Sequence, residues 1–216
     1  MLLGLSAAAC NYPQSEVDDP VSRRFSYLSY LAADDLRESC TPSSGERYRF
    51  VYNAEYNRQV RLYEIGIAPD RQEGKLEVRV LGGKRYGVFQ FGFKNWLLEQ
   101  AVARTRLQRR DVSALYDALE RARFGAEPRH GLELWSDSYY WLVSSCHEGN
   151  FHQQGYLHPS REFAAQDFAG VLAPLDRPGV PFVAAPGYDP RVPSQRRRPR
   201  SAEGPDEGGV FVYTLP

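Results

Sequence analysis

Arg47-Tyr-Arg-Phe-Val-Tyr-Asn-Ala-Glu-Tyr-Asn-Arg-Gln-Val-Arg-Leu-Tyr-Glu-Ile-Gly-Ile67 is the stretch on which the fold turns. Tyr48, Phe50 and Tyr52 alternate with Arg47, Arg49 and Val51. A period of two sends neighbouring side chains to opposite faces, the pattern of a strand. Residues 53–57 read as a turn and Val60 to Ile67 as the returning strand. Downstream, Leu76, Val78 and Val80 alternate with Lys75, Glu77 and Arg79, which predicts a strand with one wet face. Phe89, Phe91 and Phe93 repeat the pattern, loosened by Gly87 and Gly92. Three later segments, Leu132 to Trp135, Tyr139 to Cys146 and Phe151 to Leu157, also read as strands, with His147-Glu-Gly-Asn150 as the turn between the last two.

Helices surround these strands. Asp19-Pro20 starts one, with Asp as cap and Pro in the first turn. Its apolar stripe is Phe25, Leu28, Leu31, Ala32 and Leu36, and it stops before Cys40-Thr-Pro42. A second helix is expected over about 95–105. A third is capped by Asp111, striped by Val112, Leu115, Leu119 and Ala122, and followed by Gly125. A last one over about 160–175 carries Phe163, Phe168, Val171, Leu172 and Leu175. The order strands, helix, strands, helix predicts an α+β fold, an antiparallel sheet with helices packed on one face. From about 176 to 209, Pro, Gly, Arg and Asp replace apolar residues, predicting a mostly irregular, flexible Pro/Arg-rich C-terminal arm. Val210 to Tyr213 reads as a returning edge strand or a short hydrophobic tail for a partner. The expected organisation is a signal remnant over 1–10, a tether over 11–18, one α+β domain over 19–178 and an irregular tail over 179–216.

The chain has 216 residues, 42% hydrophobic and 13% aromatic, enough for one domain with a core. Fourteen Tyr and 11 Phe favour sheet. Lys+Arg and Asp+Glu balance at 27 each, which argues against a general polyanion binder and hence against a nucleic-acid partner.

The first ten residues, Met1-Leu-Leu-Gly-Leu-Ser-Ala-Ala-Ala-Cys10, set an apolar run before small residues and a cysteine. This resembles the general form of a bacterial lipoprotein signal, with Ala7 standing where that pattern usually has leucine. The resemblance covers those ten residues and implies an acylated Cys10 as mature N-terminus, a membrane anchor, and a body facing the periplasm in the cell envelope. A secreted form without the anchor, and an ordinary apolar N-terminus, are the competing readings. With Cys10 lipidated, Cys40 and Cys146 remain as a pair that an oxidising compartment would join; two buried free thiols are the alternative.

Three of the four histidines, His147, His152 and His158, follow Cys146 closely. Imidazole and sulfur would suit zinc or copper, but the spacing matches no standard zinc pattern, and a disulfide at Cys146 would remove the thiolate. Turn and strand-end histidines are the plainer reading, so no metal or cofactor is assigned. Tyr139, Tyr140 and Trp141, near Trp135, form the densest aromatic cluster; core packing competes with a ligand or sugar platform. Glu133, Asp137 and Glu148 offer carboxylate pairs that no spacing selects. Ser144-Ser145 lacks the glycines of a nucleophile elbow, and Gly82-Gly83-Lys84 is followed by Arg85 where a phosphate loop needs Ser or Thr. Arg196-Arg-Arg-Pro-Arg200 reads as a solvated linker rather than a phospholipid or nucleic-acid contact. The expected function is therefore a non-catalytic envelope lipoprotein with a structural or partner-binding role and an envelope protein as partner. The alternatives are a periplasmic metal- or small-ligand-binding module and an enzyme with a dispersed site.

Overall fold

The structure, a computed structural model, describes residues 27–56, 58–81, 101–126, 130–187 and 212–216. The stretch over 47–67 folds as two long antiparallel strands, β1 (Glu46–Ala54) and β2 (Gln59–Ile67), with Phe50 opposite Tyr63. Four further strands complete a sheet: β3 (Gly74–Leu81), β4 (Ala101–Leu107), β6 (Tyr139–His147) and β7 (Asn150–Leu157). Its order is β4-β3-β2-β1-β6-β7, antiparallel throughout, so β1 and β2 lie in the middle. Two short strands, β5 (Glu133–Trp135) and β8 (Val212–Thr214), pair as a second small sheet. The C-terminal segment thus does return as a strand.

Period-two alternation divides the side chains between two cores. Phe50, Tyr52, Tyr63, Ile65, Leu76, Val78, Trp141, Val143 and Tyr156 point to one face. There they meet α3 (Arg109–Arg121), α4 (Arg161–Ala165) and α5 (Phe168–Leu172) through Leu115, Ala118, Phe163, Phe168 and Leu172. Edge-to-face aromatic packing dominates: Phe168 stands 5.1 Å from Phe50, 5.7 Å from Trp141 and 5.3 Å from Tyr156. Val51, Val60, Leu62, Tyr140 and Leu142 point to the other face, under Tyr27, Leu31, Leu134 and Leu215. Tyr27 and Leu31 belong to helical turns over 27–32 (α1), which lead through Ala33, at a left-handed φ of 52°, into α2 (Asp34–Glu38). The α+β architecture therefore holds, with α3, α4 and α5 on one face and α1 with the small sheet on the other. Lys75, Glu77 and Arg79 of β3 form the expected wet edge of that second face.

The helix expected over 95–105 is corrected for its described part. Residues 101–107 form β4, because Ala101, Ala103, Thr105 and Leu107 alternate with Val102, Arg104 and Arg106 and match β3 residue for residue. The helix expected over 160–175 is broken in two. Ser160 caps α4 through the Phe163 amide and Asp167 caps α5 through the Gly170 amide; Pro174 then sits in a 3₁₀ turn over Ala173–Leu175. The strand expected around Phe89–Phe93, the signal segment with Cys10, the tether, and the Arg196–Arg200 run lie outside the described residues.

Cys40 and Cys146 form a disulfide, with Cα atoms 5.5 Å apart. It ties the end of α2 to β6, beside Ala33, Leu36 and Phe151. Chain segments separated by 106 residues are thereby cross-linked.

Candidate functional site

The β6–β7 hairpin carries the histidines and closes through a two-residue turn. Glu148 at φ 51° and Gly149 at φ 79° both adopt the left-handed conformation that this turn needs. His147 precedes the turn and meets the most varied titratable cluster at the sheet's end. Glu46, at the start of β1, is buried, and its carboxylate accepts hydrogen bonds from the Tyr48 hydroxyl (2.5 Å) and the Tyr116 hydroxyl (2.8 Å). Arg71, in the β2–β3 turn at φ 56°, lies 3.4 Å from Glu46 and 3.0 Å from His147 Nε2. His147 Nδ1 stands 3.7 Å from Glu46, and Glu148 is 3.3 Å from Nε2. Burial first, and then the adjoining Glu46 carboxylate, push the Tyr48 and Tyr116 hydroxyls well above their ordinary pKa, so both stay protonated as donors. This arrangement ties the start of β1, α3, the β2–β3 turn and the β6–β7 turn together through one carboxylate.

The other histidines face elsewhere. His152 sits edge-on to the Phe124 ring at 4.8 Å. His158, past the far end of β7, packs against Phe163 and donates through Nε2 to the Pro186 carbonyl (2.9 Å). Thus His147 and His158 occupy opposite ends of the hairpin, and Cys146 is a disulfide sulfur rather than a thiolate. Among the described residues, no three His, Cys, Asp or Glu side chains are grouped so as to hold a metal. Glu133 lies on β5 and Asp137 in the turn after it, and Ser144 is buried, hydrogen-bonded by Gln153.

The aromatic cluster divides as strand alternation requires. Tyr140 joins the core under α1, while Tyr139 and Trp141 point to the face carrying α3, α4 and α5. Beside Trp141 lies a buried polar patch that local sequence reading did not find. Arg61, Gln59 and Tyr52 share this face, and all three are buried. Arg61 pairs with Asp176, which also accepts from the Tyr63 hydroxyl (2.9 Å). An irregular strap, residues 176–187, crosses above them. Gln59 donates to the Pro181 carbonyl (2.9 Å) and accepts from the Val183 amide (3.1 Å). Tyr52 donates to the Val183 carbonyl (2.8 Å) and Arg61 to the Val180 carbonyl. Phe182 stacks on Tyr52 at 4.8 Å and lies under the Arg61 guanidinium. The sequence signal available for this site was Arg61 itself, a cation at a position whose period-two neighbours, Tyr63 and Ile65, are core.

Family models, curated proteins and solved structures provide no match to the chain.

Proposed function

We propose that this chain is an exported protein of the bacterial cell envelope, anchored by lipid on Cys10, with a structural or partner-binding rather than catalytic role. The observation that carries the reading is the Cys40–Cys146 disulfide. A bond of this kind persists in oxidising compartments and is rare in the cytosol. It pairs the two cysteines left over once Cys10 is assigned to the anchor. The lipobox-like run ending at Cys10 supplies the address. The binding role draws support from where the polar side chains are used. Glu46 accepts from Tyr48 and Tyr116, and Arg61, Gln59 and Tyr52 donate to main-chain carbonyls.

Expression of the full chain in a bacterial host, followed by fractionation, tests this reading. The native protein is expected in the membrane fraction, with Cys40 and Cys146 resistant to alkylation until reduced. Cys10→Ser is expected to shift it to the soluble fraction. A cytosolic native protein whose thiols alkylate without reduction would overturn the proposal.

A further inference from the structure

Tyr52, Gln59 and Arg61 hold the strap by its backbone. Four hydrogen bonds run from three buried side chains to the main chain of residues 180–183. The Gln59 carboxamide makes two of them, matching one carbonyl and one amide of the same segment. Among its side chains Phe182 is the aromatic anchor, stacked on Tyr52 with an interplanar angle of 15°, while Val183 and Ala185 also pack against the core. Main-chain bonds supply affinity for any extended segment, and the aromatic slot supplies selectivity.

The strap is more exposed than the side chains that hold it. Every residue from 177 to 187 is at least partly exposed, and this stretch forms no helix or strand, whereas Tyr52, Gln59 and Arg61 are no more than 3% exposed. Segments with few buried apolar contacts open at less cost than the sheet beneath them.

We infer that residues 180–185 occupy in cis an extended-peptide groove, and that its occupant in trans is an uncharged partner segment with an aromatic residue flanked by proline and an aliphatic residue. This rests on the partner-binding reading above. A tethered segment competes at an effective concentration in the millimolar range, so a free peptide binds only in proportion to the fraction of open groove.

The probe is a labelled synthetic peptide of residues 178–187, added to the intact full chain. The native chain should bind it weakly. Phe182→Ala, which removes the cis anchor and leaves the groove intact, should bind at least tenfold more tightly. Phe182→Ala with Gln59→Ala should lose that gain, and a scrambled peptide should not bind. Hydrogen exchange gives a readout independent of any variant: the Val183 amide should exchange faster than the amides of β1 and β2 in the native chain. A folded Phe182→Ala protein that ignores the peptide, or a Val183 amide that exchanges only with global unfolding, would overturn the inference. Either result would leave the export proposal standing, because that proposal is read from membrane fraction and thiol state.

Discussion

Arg61 and Asp176, 115 residues apart, form a buried ion pair on the central sheet, with side chains only 1% and 4% exposed. The pair decides where the chain after α5 goes. A buried guanidinium needs a counter-charge, and Asp176, which also accepts from Tyr63, brings the strap with it.

Breaking this pair on one side should be costly. Arg61→Met or Asp176→Leu alone is expected to lower stability by about 3–5 kcal/mol, because the remaining group is left uncompensated. The double replacement Arg61→Met with Asp176→Leu should recover most of the loss. Denaturant unfolding of the three variants measures this, and additive losses in the double variant would contradict it.

The Cys40–Cys146 bond closes a long loop, so reduction should destabilise the native chain by about 4–5 kcal/mol in the chain-entropy account. Urea midpoints with and without reductant test the size of the effect. Cys40→Ser with Cys146→Ser should match the reduced native protein and be insensitive to reductant.

The hairpin turn separates two residues with the same backbone sign. Gly149→Ala is expected to cost more than about 1 kcal/mol, since its φ is 79° and a Cβ would stand 2.8 Å from Pro42 Cδ and 2.9 Å from Pro42 N. Glu148→Asn keeps the turn with a residue that tolerates positive φ, and should raise stability by roughly 0.5 kcal/mol. Thermal unfolding of both variants gives the comparison.

His158 should make stability depend on pH near neutrality. Burial holds its imidazole below the usual value of 6.5, although the Pro186 carbonyl pulls the other way. The unfolded chain takes up the proton first, so stability is full above 6.5 and falls as pH drops through that value toward the folded one. Asp35 and Glu77, held low chiefly by hydrogen bonds from Arg49 and Arg104, act in a separate, more acidic window. Their contribution is present above the ordinary carboxylate range and is lost as pH falls through their lowered values. His158→Gln should flatten the urea-midpoint profile between pH ~7.5 and ~5.5 and leave the acid limb unchanged.

Local periodicity made most of the sheet legible. Arg47–Val51 and Lys75–Val80 alternate, Tyr139–Cys146 and Phe151–Leu157 read as strands either side of the His147–Asn150 turn, and all four are strands. Ala101–Leu107 misleads because alanine and arginine favour helix, and only pairing with β3 selects the strand. The Cys40–Cys146 disulfide was one of two readings of the sequence, against two buried free thiols, and the structure forms it. The Glu46 cluster was not, because its members come from the start of β1, the β2–β3 turn, α3 and the β6–β7 turn. The strap's composition signals irregular structure, which is what residues 177–187 adopt. Its docking depends on Gln59 and Arg61, far away in sequence, and no local pattern encodes that.

The most direct test of the export claim is an intact mass of the native protein made from its own gene in a bacterium. The account predicts a species that begins at Cys10, carries added acyl mass, and keeps Cys40 and Cys146 joined. An unacylated species with all its cysteines free would contradict it.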